Sequence, residues 1–311
     1  MNTLHLKYAV EVERLGSITQ AADNLYMAQP NLSKAIKELE DTLGISIFKR
    51  TSKGVVPTKK GSEFLIYAKN ILSQIEKMEA LTAPDMEHKQ TLNISIPHGS
   101  YLANGITNFV KSLDVQKEME LNIKETGTQE AIQNIIFDKF SLGIIRYEKE
   151  YESYFLNYLK DKDLSYQLIW EYNYMVVMSK HHPLAVKELL INEDFKDCIE
   201  LLHGDFMIPG LNLADSKFIS DTDSSKKKIY VYERGSQFDI LSNIKTSYMW
   251  VSPIPEELLN RYDLIQRTAP EPARKCIDIL IYPKGYVFTP LDKQLIDKLI
   301  ESKESLAESL N

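Results

Sequence analysis

The stretch that decides the fold of the N-terminal part is Met27–Asp41, MAQPNLSKAIKELED. Leu32, Ile36 and Leu39, followed by Leu43, recur at helical spacing and make a narrow apolar stripe. Pro30, Ser33, Lys34 and Lys37 fall on the opposite side, with no acid among them before Asp41, while Glu38 and Glu40 lie to the sides. A solvated helix face usually mixes signs, whereas a face that meets an anionic partner does not. Pro30 is tolerated near the start because first-turn N–H groups have no intrahelical partner. Gly44 ends the helix.

Working outward, Leu4, Leu6, Tyr8, Ala9, Val12 and Leu15 predict a first helix that stops at Gly16. Ser17-Ile18-Thr19-Gln20 has the form of a capping box, in which the Ser17 hydroxyl accepts from the Gln20 amide and the Gln20 side chain returns to Ser17. Ile18, Ala21, Ala22 and Leu25 then predict a second short helix, whose paired alanines permit close approach. Two short helices joined by a brief turn, the second with a basic outer face, have helix-turn-helix geometry. The same periodicity also fits a small three-helix core with a solvated face. The following SIFKRTSKGVVPT, residues 46–58, reads as a hairpin: Ile47-Phe48, a turn at Ser52-Lys53-Gly54, then Val55-Val56. Arg50 and Lys53 lie at or near its tip. Such a basic hairpin is a wing suited to phosphate or minor-groove contact.

From Gly16 to Gly61 the sequence resembles the LysR-type transcriptional regulators. The residues that carry the resemblance are Ser17, Ala21, Ala22, Gln29, Pro30, Leu32, Ser33, Ile36, Leu39, Glu40, Leu43, Gly44, Phe48, Arg50, Thr58 and Gly61, all in one register. The resemblance implies a winged helix-turn-helix that contacts double-stranded DNA through Ser17, Thr19, Gln20, Gln29, Pro30, Asn31, Ser33, Lys34, Lys37, Arg50 and Lys53. There are departures from the family pattern. Ala28 stands where a serine is usual, so the recognition helix is expected to lack a side-chain N-cap. Gln20 and Lys34 stand where a basic residue and an arginine are common, and a lysine cannot make arginine's planar fork.

Charge is divided in the same way. Residues 1–60 hold nine Lys/Arg against six Asp/Glu, a net of +3, which leaves -10 for the rest of a 311-residue chain of total charge -7. A small basic unit on an acidic body is the asymmetry expected when one end meets nucleic acid. The composition, 43% hydrophobic and 26% charged, is that of a globular chain of two or three units. No long apolar run or signal-like N-terminus is seen, so a cytoplasmic protein without a membrane span is expected. Cys198 and Cys276 read as buried reduced thiols, and no metal site is expected at His181-His182.

After the hairpin, Phe64, Ala68, Ile71, Ile75 and Met78 form a heptad-like seam, widened by Leu65, Leu72 and Leu81, on a helix that Pro84 stops. The resemblance implies a dimerisation helix; packing on the chain's own C-terminal part is the alternative. From residue 91 strands and helices alternate, which predicts α/β architecture with a parallel sheet. The order resembles the family's effector-binding domain, with the fold of periplasmic binding proteins. The expected division is 1–58 winged helix-turn-helix, 59–83 linker helix, 84–90 hinge and 91–311 effector-binding domain. Within the last, subdomain I is expected at 91–164 with 269–311, and subdomain II at 165–268.

Ligands of open α/β sheets bind beyond the carboxyl ends of strands. That nominates His98, Gly99, Ser100 and Tyr101 after the first strand, Thr126, Gly127, Thr128 and Gln129 after the second, and Arg146 at the third. In the second subdomain it nominates His203, Arg234, Ser236, Gln237 and Phe238. Arg146 and Arg234 would suit a carboxylate or phosphate, or would pair with acids of the body. The expected function is a DNA-binding regulator, dimeric or tetrameric, modulated by a small-molecule effector in the cleft between the subdomains. No cofactor is expected beyond that unidentified effector. The expected partners are promoter DNA, a second copy of the chain and the effector, with RNA polymerase kept as a further candidate. The alternative is an effector-independent DNA-binding repressor or architectural protein with a vestigial cleft. An enzyme is not expected, because no G-x-S-x-G, H-E-x-x-H, P-loop or paired-cysteine motif is present.

Overall fold

The computed structural model describes residues 2–51, 54–80, 89–137, 140–204, 225–270 and 274–310. The chain divides into two compact units, 1–88 with 136–139 and 89–135 with 140–311.

In the first unit, α1 (Thr3–Leu15) opens on Asn2, whose side chain accepts from the Leu4 amide at 3.0 Å, and closes on Gly16. Gly16 sits at φ +62°, a left-handed cap that favours glycine. α2 (Ile18–Asn24) starts at Ser17, whose hydroxyl accepts from the Gln20 amide at 3.3 Å. α3 (Gln29–Leu43) follows. Ala9, Val12, Ala21, Ala22, Leu32, Ile36, Leu39 and Ile47 make one buried core. Leu4, grouped above with the apolar face of α1, is instead 47% exposed.

The wing is β1 (Phe48–Thr51) antiparallel to β2 (Gly54–Pro57), with Phe48 opposite Pro57. Lys53 lies outside the described residues. The hairpin is tied down at two points. Glu40 Oε1 on α3 accepts from the Ile47 and Phe48 amides at 2.6 and 3.0 Å. The Val55 amide donates to the Gly16 carbonyl at 2.8 Å. A carboxylate that accepts two backbone N–H groups is a charge-assisted anchor; it fixes the wing's position relative to α3.

α4 (Lys59–Ala80) begins where Thr58 Oγ1 accepts from the Gly61 amide and donates to the Ser46 carbonyl, at 2.9 and 2.6 Å. At Gly61 the helix meets the start of the wing so closely that a Cβ would lie 1.9 Å from the Ile47 carbonyl oxygen. The expected seam of α4 divides. Ala68 and Leu72 pack on Leu6 of α1, with Phe64 partly buried beside them, and Leu65 joins the main core. Ala68 and Phe64 are therefore not free to face a second copy: heptad spacing marks an apolar face, and α1 already covers this part of it. Ile71 and Met78 remain 39% and 66% exposed, and Ile75 is half-buried. Leu81 and Pro84 lie outside the described residues.

The second unit carries two five-stranded sheets. β3 (Lys89–Ile96), β4 (Glu118–Glu125), β5 (Leu142–Glu148), β6 (Leu164–Asn173) and β12 (Lys275–Pro283) make the first, in the order β4-β3-β5-β12-β6. β7 (Met175–Ser179), β8 (Ile199–His203), β9 (Lys227–Val231), β10 (Ser247–Val251) and β11 (Leu264–Thr268) make the second, in the order β11-β7-β10-β8-β9. Both sheets are mixed, not parallel as expected. β12 runs antiparallel to β5 and β6, and β7 runs antiparallel to β10 and β11. The chain crosses between sheets twice, and each crossing reverses a strand against its neighbours. The first sheet reaches Asn173 instead of ending at 164, because β6 pairs along its whole length with β12. Lys89 and Gln90, expected in a hinge, are already paired with β4.

Helices cover the first sheet: α5 (Ser100–Lys111), α6 (Thr128–Phe137), α7 (Glu152–Asp161, not anticipated from sequence) and α10 (Pro290–Leu310). Its core joins Ile94, Tyr101, Phe109, Ile144, Leu280 and Leu299. α8 (Arg234–Asn243) and α9 (Glu256–Arg261) serve the second sheet, where Val177, Leu201, Phe238 and Met249 are buried together.

Gly61→Ala tests the junction of wing and α4. Because the obstructing atom is a backbone carbonyl, overpacking is expected to cost about 1–3 kcal/mol. It should lower the urea midpoint at constant slope; an unchanged midpoint would show that the junction yields.

Candidate functional site

The two candidate sites lie in different units. The first is the outer face of α3. Leu32, Ala35, Ile36 and Leu39 are buried on its inner side, which turns Pro30, Asn31, Lys34 and Lys37 outward as exposed residues; Gln29 and Ser33 are half-buried. Lys34 pairs with Glu38 at 3.8 Å, and both are exposed. An exposed helical pair of this kind contributes about 0.3–0.5 kcal/mol, so it does not hold the lysine back from a polyanion. Glu40 is committed to the wing. Thr19 and Gln20 are exposed on α2, Ser17 is half-buried at its cap, and Arg50 is exposed on β1. Ser33 and Lys37 line one groove with Lys49 and Arg50 of the wing. Lys49 was missed in the sequence, although its place beside Arg50 on a hairpin strand was a usable signal. Tyr26, in the turn before α3, is 98% exposed at φ +51°.

Ala28 is the N-cap of α3 and makes no side-chain cap bond. Pro30 has no N–H, so Asn31 offers the N–H that a side-chain cap would reach. Ala28→Ser should stabilise the unit by about 0.5–2 kcal/mol, seen as a higher melting temperature; no rise would mean that the 2.9 Å bond from the Asn31 amide to the Ala28 carbonyl already suffices.

The second site is a cavity of about 70 Å³ between the two sheets of the second unit. Strand ends and helix starts bring His98, Ser100, Thr126, Gly127, Thr128 and Arg146 to one wall. His203 and Gln237 come from the other subdomain, so eight nominated residues meet there. Pro97, Tyr174, Trp250, Val251 and Ser252 line it as well. The strand-end rule would have found Ser252 had it been applied to β10; Tyr174, at a crossover between sheets, carried no such signal.

Six nominated residues do other work. Gly99 is the N-cap of α5, where a Cβ would lie 2.9 Å from an Arg146 nitrogen. Tyr101 is fully buried and donates its hydroxyl to Asp278 at 2.5 Å. Phe238 is buried and stacks on Tyr262. Ser236 donates to the Glu233 carbonyl at 2.9 Å. Gln129 is half-buried on α6, outside the cavity wall. Arg234 pairs with Glu125 across the subdomains at 3.1 Å.

Arg146 is in the wall but its charge is engaged. Nε and Nη2 each donate to Asp278 at 2.7 Å, and Nη1 donates to the His98 carbonyl at 2.9 Å. Burial works against the guanidinium's charge, but the Asp278 carboxylate more than offsets it and raises the pKa further above its ordinary value. Burial and the Asp278 charge push the Tyr101 hydroxyl up, so it stays a donor. Thr128 is likewise occupied, donating to the Arg146 carbonyl at 2.7 Å. The subdomains also touch where the His98 and His203 rings stack, 4.2 Å apart and 11° from parallel. Glu125 reaches His98 Nδ1 at 3.3 Å as well as Arg234. Among the described residues, the wall atoms Gln237 Oε1 and Trp250 Nε1 are buried without a hydrogen-bond partner.

Arg146→Met would leave Asp278 as a buried uncompensated charge, a loss of about 3–5 kcal/mol. The double change Arg146→Met with Asp278→Leu should recover much of it in chemical denaturation. A double variant no more stable than the single would contradict the pairing.

Residues 4–62 match the model of the bacterial regulatory helix-turn-helix protein, lysR family. The HTH-type transcriptional regulator BenM of Acinetobacter baylyi is 28% identical over 185 residues, 59% of this chain. The match spans 57% of BenM's length, so the chain is aligned with little more than half of that relative. Among solved structures, a full-length OxyR variant from Pseudomonas aeruginosa matches with a TM-score of 0.62 at 18% identity, covering 97% of both chains. Full-length LysG from Corynebacterium glutamicum with bound effector Arg matches with a TM-score of 0.62 at 13% identity, covering 98% of this chain and 99% of that one. These structural likenesses establish the fold, and the shared order of helix-turn-helix, long helix and two-sheet α/β body accompanies the N-terminal match. Residues 4–62 thus carry the helix-turn-helix of the bacterial lysR family, on a chain whose fold is that of the full-length OxyR and LysG structures.

Proposed function

We propose that this protein is a transcriptional regulator that binds double-stranded operator DNA as a homodimer or homotetramer and responds to a small molecule held between the sheets of its second unit. The observation that carries the reading is the outer face of α3, where Lys34 and Lys37 project with Arg50 of the wing nearby and the nearest acids are exposed or committed elsewhere. In this reading the early residues of α3 enter the major groove and the wing lies on the phosphates beside it. Thr19, Gln20 and Asn31 are polar contacts of the same face. Ile71, Ile75 and Met78, with Tyr67 at 69% exposure, give α4 an apolar side for a second copy.

A ligand that binds one closure of the cleft better than another shifts the population of that closure. The cavity and the cross-cleft contacts of His98, His203, Glu125 and Arg234 support this part of the reading. In the LysG structure the bound effector is Arg; here the cleft supplies its own chemistry. Cysteine redox sensing has no support in the thiols: burial pushes Cys276 up to about 12 and also raises Cys198, the reverse of a reactive thiolate. A role other than catalysis and a place in the cytoplasm fit the reading, and among the described residues no helix is long and apolar enough to cross a membrane.

Lys34→Ala and Arg50→Ala test it in a salt-dependent gel shift on DNA upstream of the protein's own gene. Each should weaken binding and lower the slope of log affinity against log salt by about 1. Unchanged affinity and slope in both would remove α3 and the wing from the DNA interface.

A further inference from the structure

We propose that the cleft takes a small uncharged ligand that offers both a hydrogen-bond donor and an acceptor, a carboxamide being the simplest such group, and discriminates against carboxylates and phosphates. The proposal rests on the reading of this cleft as the effector site.

The charges in and around the wall are already matched. Arg146 is the one Lys or Arg side chain among the described lining residues, and two of its nitrogens are held by Asp278 while a third is held by the His98 carbonyl. An incoming carboxylate would share this guanidinium with Asp278, which lies at 0% exposure, and would bring a second buried negative charge beside the first. Burying a charge without a partner of its own is costly. Arg234, another basic group of the cleft, is paired with Glu125. The positive end of α6 is complemented from within: Glu130 lies in its first turn, takes the Thr126 hydroxyl and pairs with Lys124 at 2.8 Å. α5 differs. Its cap is Gly99, with no side-chain bond and no acid in the first turn, so its leading N–H groups are left to donate to a ligand oxygen.

The opposite wall supplies complementary demands. Gln237 is 3% exposed and its Oε1 has no partner; Trp250 Nε1 is buried with none. One is an acceptor in need of a donor and the other a donor in need of an acceptor. A carboxylate brings acceptors alone and leaves Gln237 Oε1 unsatisfied, and a phosphate would add a buried charge with no partner of its own. A carboxamide answers both with one planar group. The volume of about 70 Å³ restricts the enclosed part of the ligand to a small head.

The test is a titration of the full chain with matched pairs that differ in charge: acetamide against acetate, lactamide against lactate, nicotinamide against nicotinate. Saturable rises in melting temperature and calorimetric heats are the readouts. At least one amide should bind saturably, with its acid about tenfold weaker or worse. Gln237→Leu and Trp250→Phe should each weaken that amide by a similar factor. Acids that bind as well as their amides would overturn the proposal and leave the effector reading standing. No saturable response to either series would overturn both. Because the matched pairs are read on the unaltered chain, a variant that fails to fold does not spoil the comparison.

Discussion

The buried pair of Arg146 and Asp278 is the interaction around which the second unit is arranged. The two residues face each other directly on β5, the central strand of the first sheet, and β12, the strand that returns from the second. Each gives up its water, and the desolvation is offset only because all of the strong bonds are made: two nitrogens to two oxygens, with Tyr101 donating to the carboxylate and the His98 carbonyl accepting from the guanidinium. The bonds also reach outward. Through His98 the pair sets the loop after β3, and through Tyr101 it sets α5, whose Tyr101 carbonyl in turn accepts from Ser302 of α10 at 2.8 Å. The cleft is thus lined by groups positioned by a fixed dipole, and it presents hydrogen bonds more than net charge.

The first unit has a comparable device in Glu40. By accepting from Ile47 and Phe48 it converts a helix and a hairpin into one rigid surface, so Lys34, Lys37 and Arg50 keep a set spacing. Gly61 completes the arrangement by letting α4 close on the same peptide. In both units, then, a single acid holds the architecture: Glu40 in the first and Asp278 in the second. The proposed partners would meet the cations left outward in the first unit and, among the described residues of the second, Gln237 Oε1 and Trp250 Nε1.

The helix-turn-helix was legible because its signals are local. The stripe of Leu32, Ile36 and Leu39, the cap at Ser17 and the glycines at 16 and 44 each depend on residues a few positions away. The strands of the α/β body were legible as apolar runs, and the rule that ligands sit beyond strand ends brought eight nominated residues to one cavity. What sequence could not give was partner choice over distance. Arg146 and Asp278 are separated by 132 positions, so nothing local says that the arginine is spent. The apolar seam of α4 likewise carries no label for its partner, and α1 took Phe64 and Ala68. Strand direction failed for a related reason, since β12 joins its sheet only after the chain has built another.

Paired winged units that present α3 to successive major grooves would leave a specific mark on DNA. A nuclease footprint of the intact protein on DNA upstream of its own gene reads that mark without any substitution. Two protected half-sites are expected, with centres about one helical turn, or a whole multiple of it, apart. A lone protected site, or uniform protection that disappears with modest salt, would contradict the arrangement.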